Sequence, residues 1–353
     1  MSFINKFFNY FLLSLIVLTP LTGKTDYLIE NQSKAFDTAL TISDQGILKQ
    51  KDNGFVYLDV ANEFINSVAT LIDLPGELRS PPTATRSVGA HISVFYEKEE
   101  IAPLELGSTF SFEPKDIRSF TLHTRDGLKK LWLLAVDSPD LENLRESYNC
   151  SSKLKGHDFH ITLGKQMPSA PEGWKNVEVI SPLNYLDQPY EGLSSEGDFN
   201  TVENNALQEI AKHVDNVAQL NLKNNGFVYL DVDDRYVEEM TEYLPVTGDF
   251  KVLSTGPRKM GAHISVIYED EMIGHEIWNL SEAGQWFTFQ VKELRYVDRG
   301  AKRLWLLAVE APGLEHLRTQ YGLKPKLQGH DFHITLGYES LVEAACEEEK
   351  DAA

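Results

Sequence analysis

Four histidines in this chain stand two residues before a hydroxyl. His91 precedes Ser93 and His263 precedes Ser265, while His160 precedes Thr162 and His333 precedes Thr335. An isoleucine separates imidazole from hydroxyl each time. On an extended strand, side chains at i and i+2 share a face, and the one between them points the other way. Each triplet therefore presents an imidazole beside a hydroxyl, with an Ile anchoring the backbone to a core. Imidazole exchanges a proton near neutral pH, and a hydroxyl donates to an anionic oxygen. Two such pairs fit a small anionic group held between two histidines.

The triplets lie in longer blocks that occur twice. GAHISV runs from Gly89 to Val94 and from Gly261 to Val266, and GHDFHITLG from Gly156 to Gly164 and from Gly329 to Gly337. A third block, GFVYLDV, opens at Gly54 and again at Gly226. The spacing between equivalent histidines is kept to within one residue, so a whole architecture is duplicated.

The elements that position these blocks follow from their patterning. GFVYLDV is β-branched and aromatic and reads as a strand. Next comes a helical stripe, Phe64, Ile65, Val68, Leu71 and Ile72, matched by Tyr236, Val237, Met240, Tyr243 and Leu244. Residue types differ between the copies while the period is kept, which marks packing. A loop leads to the His-Ile-Ser strand, and two further strand-like stretches follow. The continuous apolar run LWLLAV, at Leu131–Val136 and Leu304–Val309, reads as a central buried strand. Pro139 and Pro312 then open a short helix, and the His-Ile-Thr strand closes each repeat.

Two His-x-Ser/Thr motifs in one compact α+β domain, each on a strand, resemble the 2H phosphoesterase superfamily. The GAHISV and GHDFHITLG forms look closest to its Swiss-army-knife type, over roughly residues 50–168 and 222–340. The resemblance implies two tandem bilobal domains, each with mainly antiparallel sheets and two helices, with one motif per lobe across a cleft. It also implies hydrolysis or transesterification of 2′,3′-cyclic phosphates or related phosphodiesters without a metal. His91, His160, His263 and His333 are then the general acids and bases, and Ser93, Thr162, Ser265 and Thr335 bind the phosphate. Which histidine is acid and which is base stays open.

Other residues have two readings each. Asp158 and Asp331, on the same strand face as the site histidine, either orient the imidazole or face solvent. Arg86 and Arg258, five residues before the first motif histidine, either contact phosphate or sit on a surface loop. Tyr57 and Tyr229 either stack on a base or pack in the core, and core packing is the expectation. Lys130 and Arg303 read as solvent-facing strand flanks. His157 and His330 lie three residues before His160 and His333, an odd offset that sends the two rings to opposite strand faces. No ligand set converges by spacing, so neither metal nor cofactor is expected.

The chain is long enough for two domains of ordinary size. Its net charge of −20 opposes tracking along a long duplex and is compatible with a small phosphorylated substrate or an RNA terminus. The two cysteines, Cys150 and Cys346, are not at equivalent positions and give no disulfide framework. Residues 1–23 combine Lys6, the apolar Phe11–Leu18 and small residues after Pro20, which reads as a signal peptide and an exported protein without stable membrane insertion after processing. An N-terminal membrane anchor is the alternative. The expected division is a polar lead-in at 24–50, a first domain at 51–168, a linker with a helix at 169–215, a second domain at 216–340 and an acidic tail at 341–353. A phosphoesterase with two sites is the leading reading, and a nucleotide- or phosphate-binding module with the same cleft is the runner-up. Cyclic mononucleotides, RNA termini, 2′–5′ linkages and nucleotide-sugar cyclic phosphates all remain candidate substrates.

Overall fold

A computed structural model describes residues 27–84, 87–124, 127–179, 181–184, 199–255 and 260–341. The segment 1–23, Arg86, Arg258 and the tail beyond Leu341, Cys346 included, lie outside these residues.

The first repeat carries strands β1 (Leu28–Ile29), β2 (Gln45–Gln50), β3 (Val56–Asp59), β4 (Glu77–Arg79), β5 (His91–Phe95), β6 (Thr109–Ser111), β7 (Glu113–Thr124), β8 (Gly127–Asp137) and β9 (Phe159–Met167). Helices α1 (Ser33–Ala39) and α2 (Pro139–Ser147) accompany them. The sheet order is β1-β7-β8-β9-β5-β3-β2-β6, with β4 added on β9, and the pairings are antiparallel. The second repeat carries β10 (Asn200–Val202), β11 (Val217–Leu222), β12 (Val228–Asp231), β13 (Phe250–Val252), β14 (His263–Ile267), β15 (Trp286–Thr288), β16 (Gln290–Arg299), β17 (Lys302–Glu310) and β18 (Phe332–Ser340). Its helices are α3 (Asn205–Ala211), α4 (Arg235–Glu238), α5 (Glu269–Gly274) and α6 (Pro312–Gln320). Its order, β10-β16-β17-β18-β14-β12-β11-β15 with β13 on β18, repeats the first strand for strand. Each repeat encloses its own hydrophobic core, so the chain forms two tandem α+β domains.

Strand alternation decides which side chains reach the site. In β3, Val56 and Leu58 are buried while Tyr57 and Asp59 are half-buried; in β5, Ile92 and Val94 are buried while His91 and Ser93 are not. Fully burying an Ile contributes about 1.5–3 kcal/mol, enough to hold each strand in its register. The LWLLAV run fills the middle of β8 and of β17, each lying between two other strands.

Residues 24–50 do more than lead in. β1 pairs with β7, β2 pairs with both β3 and β6, and α1 buries Ala35 and Ala39. The end of the joining segment serves the second repeat likewise, through β10, α3 and β11. The helical stripe also differs from an ideal one. Phe64–Val68 forms a π turn and Ala69–Leu71 a 3₁₀ turn, and Leu71 is exposed, as is Tyr243 in the second copy. Turns wider and tighter than an α-helix shift the angular phase, so the residue seven positions on leaves the buried face.

The repeats touch each other. Leu128 N–H donates to Asp270 Oδ1 at 2.6 Å. The Lys130 ammonium pairs with Glu276 at 3.2 Å and lies over the Trp278 ring. Lys130 is thus an inter-repeat contact rather than a free strand flank. Arg303 pairs with Asp298 and stacks on Tyr296.

Candidate active site

Strands β5 and β9 are neighbours in the first sheet, as β14 and β18 are in the second. The registered pairs are Ile92 with Ile161 and Ile264 with Ile334, the central residues of the four motifs. Both histidines and both hydroxyls of a repeat therefore share one sheet face, opposite the buried isoleucines. All four histidines and Ser93, Thr162, Ser265 and Thr335 are half-buried, open enough to meet a ligand.

Each imidazole is held the same way. Nδ1 of His91 lies 2.9 Å from the Gly89 carbonyl, and Nδ1 of His160 lies 3.2 Å from the Asp158 carbonyl. In the second repeat, His263 reaches the Gly261 carbonyl at 3.0 Å and His333 the Asp331 carbonyl at 3.4 Å. A carbonyl only accepts, so Nδ1 carries the proton and Nε2 of the neutral ring keeps its lone pair. Four rings thus present Nε2 as a proton acceptor.

Gly89 and Gly261 make this geometry available for the Ser motifs. Their φ values of +68° and +64° belong to the left-handed region. A Cβ on either would fall 2.4 Å or 2.3 Å from the Oδ1 of Asn62 or Asp234. Those same oxygens accept the following amide, Ala90 N–H at 2.9 Å and Ala262 N–H at 2.8 Å. The last glycine of GHDFHITLG serves packing instead. A Cβ on Gly164 would sit 2.8 Å from the Leu78 side chain, and on Gly337 2.4 Å from the Lys251 carbonyl, because β4 and β13 cross there.

Burial pushes the imidazoles of His160 and His333 below their ordinary pKa; the carbonyl contact opposes this, and the charge of the partner histidine, His91 or His263, adds to it. Burial likewise lowers His263. Each pair therefore resists double protonation.

Asp158 and Asp331 meet the histidines through their backbone carbonyls, not through their carboxylates. The Asp158 carboxylate is held by Lys153 at 2.5 Å, Lys115 at 3.3 Å and Arg118 at 3.0 Å. Asp331 repeats the clamp with Lys326 at 2.5 Å, Lys292 at 3.6 Å and Arg295 at 3.0 Å. Burial pushes the Asp158 carboxyl up, but Lys153 and Lys115 outweigh it and bring it down to about 2. Arg118 and Arg295 also pair with Asp116 and Glu293. Sequence reasoning missed this cluster. Its signals are the recurrence of Lys-acidic-apolar-Arg, KDIR at Lys115–Arg118 and KELR at Lys292–Arg295, and of Lys153 and Lys326 five residues before each aspartate.

Tyr57 and Tyr229 depart from the core-packing expectation. Registered opposite Ser93 and Ser265, they stand on the site face. Their rings lie edge-on to His91 at 5.8 Å and His263 at 6.0 Å. Phe55 and Tyr96 continue the stack from Tyr57, as Phe227 and Tyr268 do from Tyr229. His157 and His330 turn to other partners, edge-on to Tyr27 at 5.3 Å and Phe199 at 5.1 Å. Among the described residues, no three His, Cys, Asp or Glu side chains converge as metal ligands.

Two buried arginines brace the Ser-motif strands. Arg145 on α2 donates to the Val94 carbonyl and pairs with Glu99 at 2.8 Å; Arg318 on α6 donates to the Val266 carbonyl and pairs with Glu271 at 2.7 Å.

The Swiss Army Knife, 2H phosphoesterase domain matches residues 56–169 and again 228–341. No curated protein and no solved structure matches the chain.

Proposed function

Because the chain belongs to the Swiss Army Knife 2H phosphoesterase family, we propose that each repeat hydrolyses a 2′,3′-cyclic phosphate or a related phosphodiester of a nucleotide or RNA end. The observation that carries this reading is the paired imidazoles, each tied at Nδ1 to a backbone carbonyl so that Nε2 keeps its lone pair, beside two hydroxyls on one sheet face.

The chemistry follows from those groups. His160 and His333, kept neutral by burial, take the proton from the attacking water. The water oxygen bonds to phosphorus as the bond to the ribose oxygen breaks. His91 or His263, protonated for this step, gives its proton to that leaving oxygen. Each positioned proton transfer is worth about 10²–10⁴ in rate. The Ser and Thr hydroxyls donate to the non-bridging oxygens, where charge builds up. Nothing in these steps draws on a metal or cofactor.

The location we propose is outside the cytoplasm, supported by the basic, apolar and small residues of 1–23. N-terminal sequencing of the protein recovered from the extracytoplasmic fraction tests this. The activity is tested by assaying the purified protein against a panel of 2′,3′- and 3′,5′-cyclic nucleotides. Turnover of the 2′,3′ series supports the reading; binding without turnover identifies a phosphate-binding module instead.

A further inference from the structure

The segment joining the repeats is strapped onto the second one. Ser169 N–H donates to the Trp278 carbonyl and the Ser169 carbonyl accepts from Leu280 N–H, and Leu183 likewise donates to the Trp286 carbonyl and accepts from Thr288 N–H. Trp174, between these ties, packs on the second hydrophobic core. With Lys175 it forms one wall of a pocket of about 440 Å³, a size usual for small-molecule sites. Asn221, Lys223, Asn224 and Tyr229 form the other.

Tyr229 links this pocket to the second histidine pair. Tyr229 stands in its wall and lies edge-on to His263. Tyr229 is registered between Ser265 on β14 and Asn221 on β11, so the three side chains make one row across the site face. At about 4.8 Å per strand, Asn221 lies roughly 10 Å from the phosphate-binding Ser265. That is the reach of one further nucleotide unit from a bound phosphate.

The lining has the chemistry of a nucleotide. Tyr229 and Trp174 supply aromatic rings, and aromatic faces stack bases regardless of sequence; Lys223 and Lys175 lie over these rings, so a stacking base would displace their flexible side chains toward its phosphate. The amides of Asn221 and Asn224 offer donors and acceptors to a base edge. Lys223, lying over the Phe227 and Tyr229 rings, and Lys175 offer positive charge in a chain that is otherwise strongly acidic. In the first repeat, the positions equivalent to Asn221 and Asn224 hold Lys49 and Asp52, and Lys49 is engaged by Asp59 at 2.5 Å. The two sites therefore differ in what they present beside the same histidine pair.

We propose that the second repeat acts on an internucleotide phosphodiester, with the far nucleotide seated in the pocket formed by Trp174, Lys223 and Tyr229. This rests on the phosphoesterase reading for the phosphate between His263 and His333. Binding is the test, so that it stands apart from turnover. Full-length protein is titrated by calorimetry with a phosphorothioate dinucleotide and with adenosine 2′-monophosphate, alone and with Trp174→Ala or Trp174→Phe, so that the share of binding owed to the second repeat is read from what the Trp174 variants change. The dinucleotide should bind on the order of tenfold more tightly than the mononucleotide. Trp174→Ala should remove that difference, and Trp174→Phe should restore most of it. Equal affinities for the two probes, or a loss in Trp174→Ala that falls equally on both, would overturn the proposal. If the difference holds while neither cyclic nor internucleotide substrates are cleaved, the pocket stands and the phosphoesterase reading fails.

Discussion

Ile92 faces Ile161 where β5 and β9 meet in the first sheet, and it is the one registered pair joining these strands. Ile264 and Ile334 repeat it. In an antiparallel pair, one step in either direction sets His91 opposite Thr162 and Ser93 opposite His160. Each imidazole thus neighbours the other motif's hydroxyl as well as its own, so a phosphate bound as proposed would be bracketed by both.

From that bracket, Thr162→Val should cost catalysis without costing the fold. It keeps the β-branched shape and removes only the donor to a non-bridging oxygen. In a His333→Ala background, where only the first site keeps its pair, kcat should fall by about 10²-fold with little change in melting temperature. An unchanged kcat would remove Thr162 from the phosphate site.

The clamp on Asp158 is a stability device. Replacing it with Asn leaves Lys153, Lys115 and Arg118 facing an uncharged amide. A carboxyl held at about 2 against an ordinary value of about 3.9 corresponds to on the order of 2–3 kcal/mol at neutral pH. Because the folded-state value is the lower one, this stability is present above about pH 4 and is lost as pH falls toward 2. Urea unfolding of Asp158→Asn and the unmodified chain at pH 7 and pH 3 checks both parts. The gap between the two proteins should narrow at the lower pH.

A second pH dependence comes from the histidines. Burial lowers His160 and His333, so their neutral forms persist below the ordinary imidazole value of about 6.5. With these residues as bases, the acid limb of kcat/KM should fall below that value, since it follows the free enzyme's essential base. The same shift makes the folded state bind fewer protons than the unfolded one. Stability is therefore lost as pH drops from about 6.5 toward the lowered folded value. A pH–rate profile whose acid limb sits at or above 6.5 would remove His160 and His333 as the bases.

How much of this was legible beforehand depends on the kind of constraint. The shared face of His91 and Ser93 was readable because strand alternation comes from backbone geometry alone. The pairing of β5 with β9 was not, since adjacency joins segments far apart in sequence and no residue type encodes it. The Asp158 carbonyl escaped notice because every residue has one; the carboxylate drew attention and proved to serve Lys115, Arg118 and Lys153, which come from separate segments. Leu28–Ile29 and Gln45–Gln50 were hidden by their polar surroundings and by the short length of β1. Core packing is the expectation for Tyr57 from its residue type, yet the alternation that faces Val56 and Leu58 inward also faces Tyr57 toward His91.

The last prediction separates catalysis from binding and one repeat from the other. Proton transfer matters in the transition state, whereas phosphate binding draws also on Ser93, Thr162 and the backbone. His160→Ala should therefore lower kcat at the first site by about 10²–10⁴ while leaving affinity for a non-hydrolysable analogue largely intact. Each repeat has its own core and its own histidine pair, so the loss should stay local. His160→Ala and His333→Ala should each retain part of the activity toward a cyclic nucleotide, and the double variant should retain none. Full activity in the double variant would end the two-site mechanism. Complete loss in one single variant would mean that only that repeat turns over this substrate, with the other acting on a different one or serving as its structural partner.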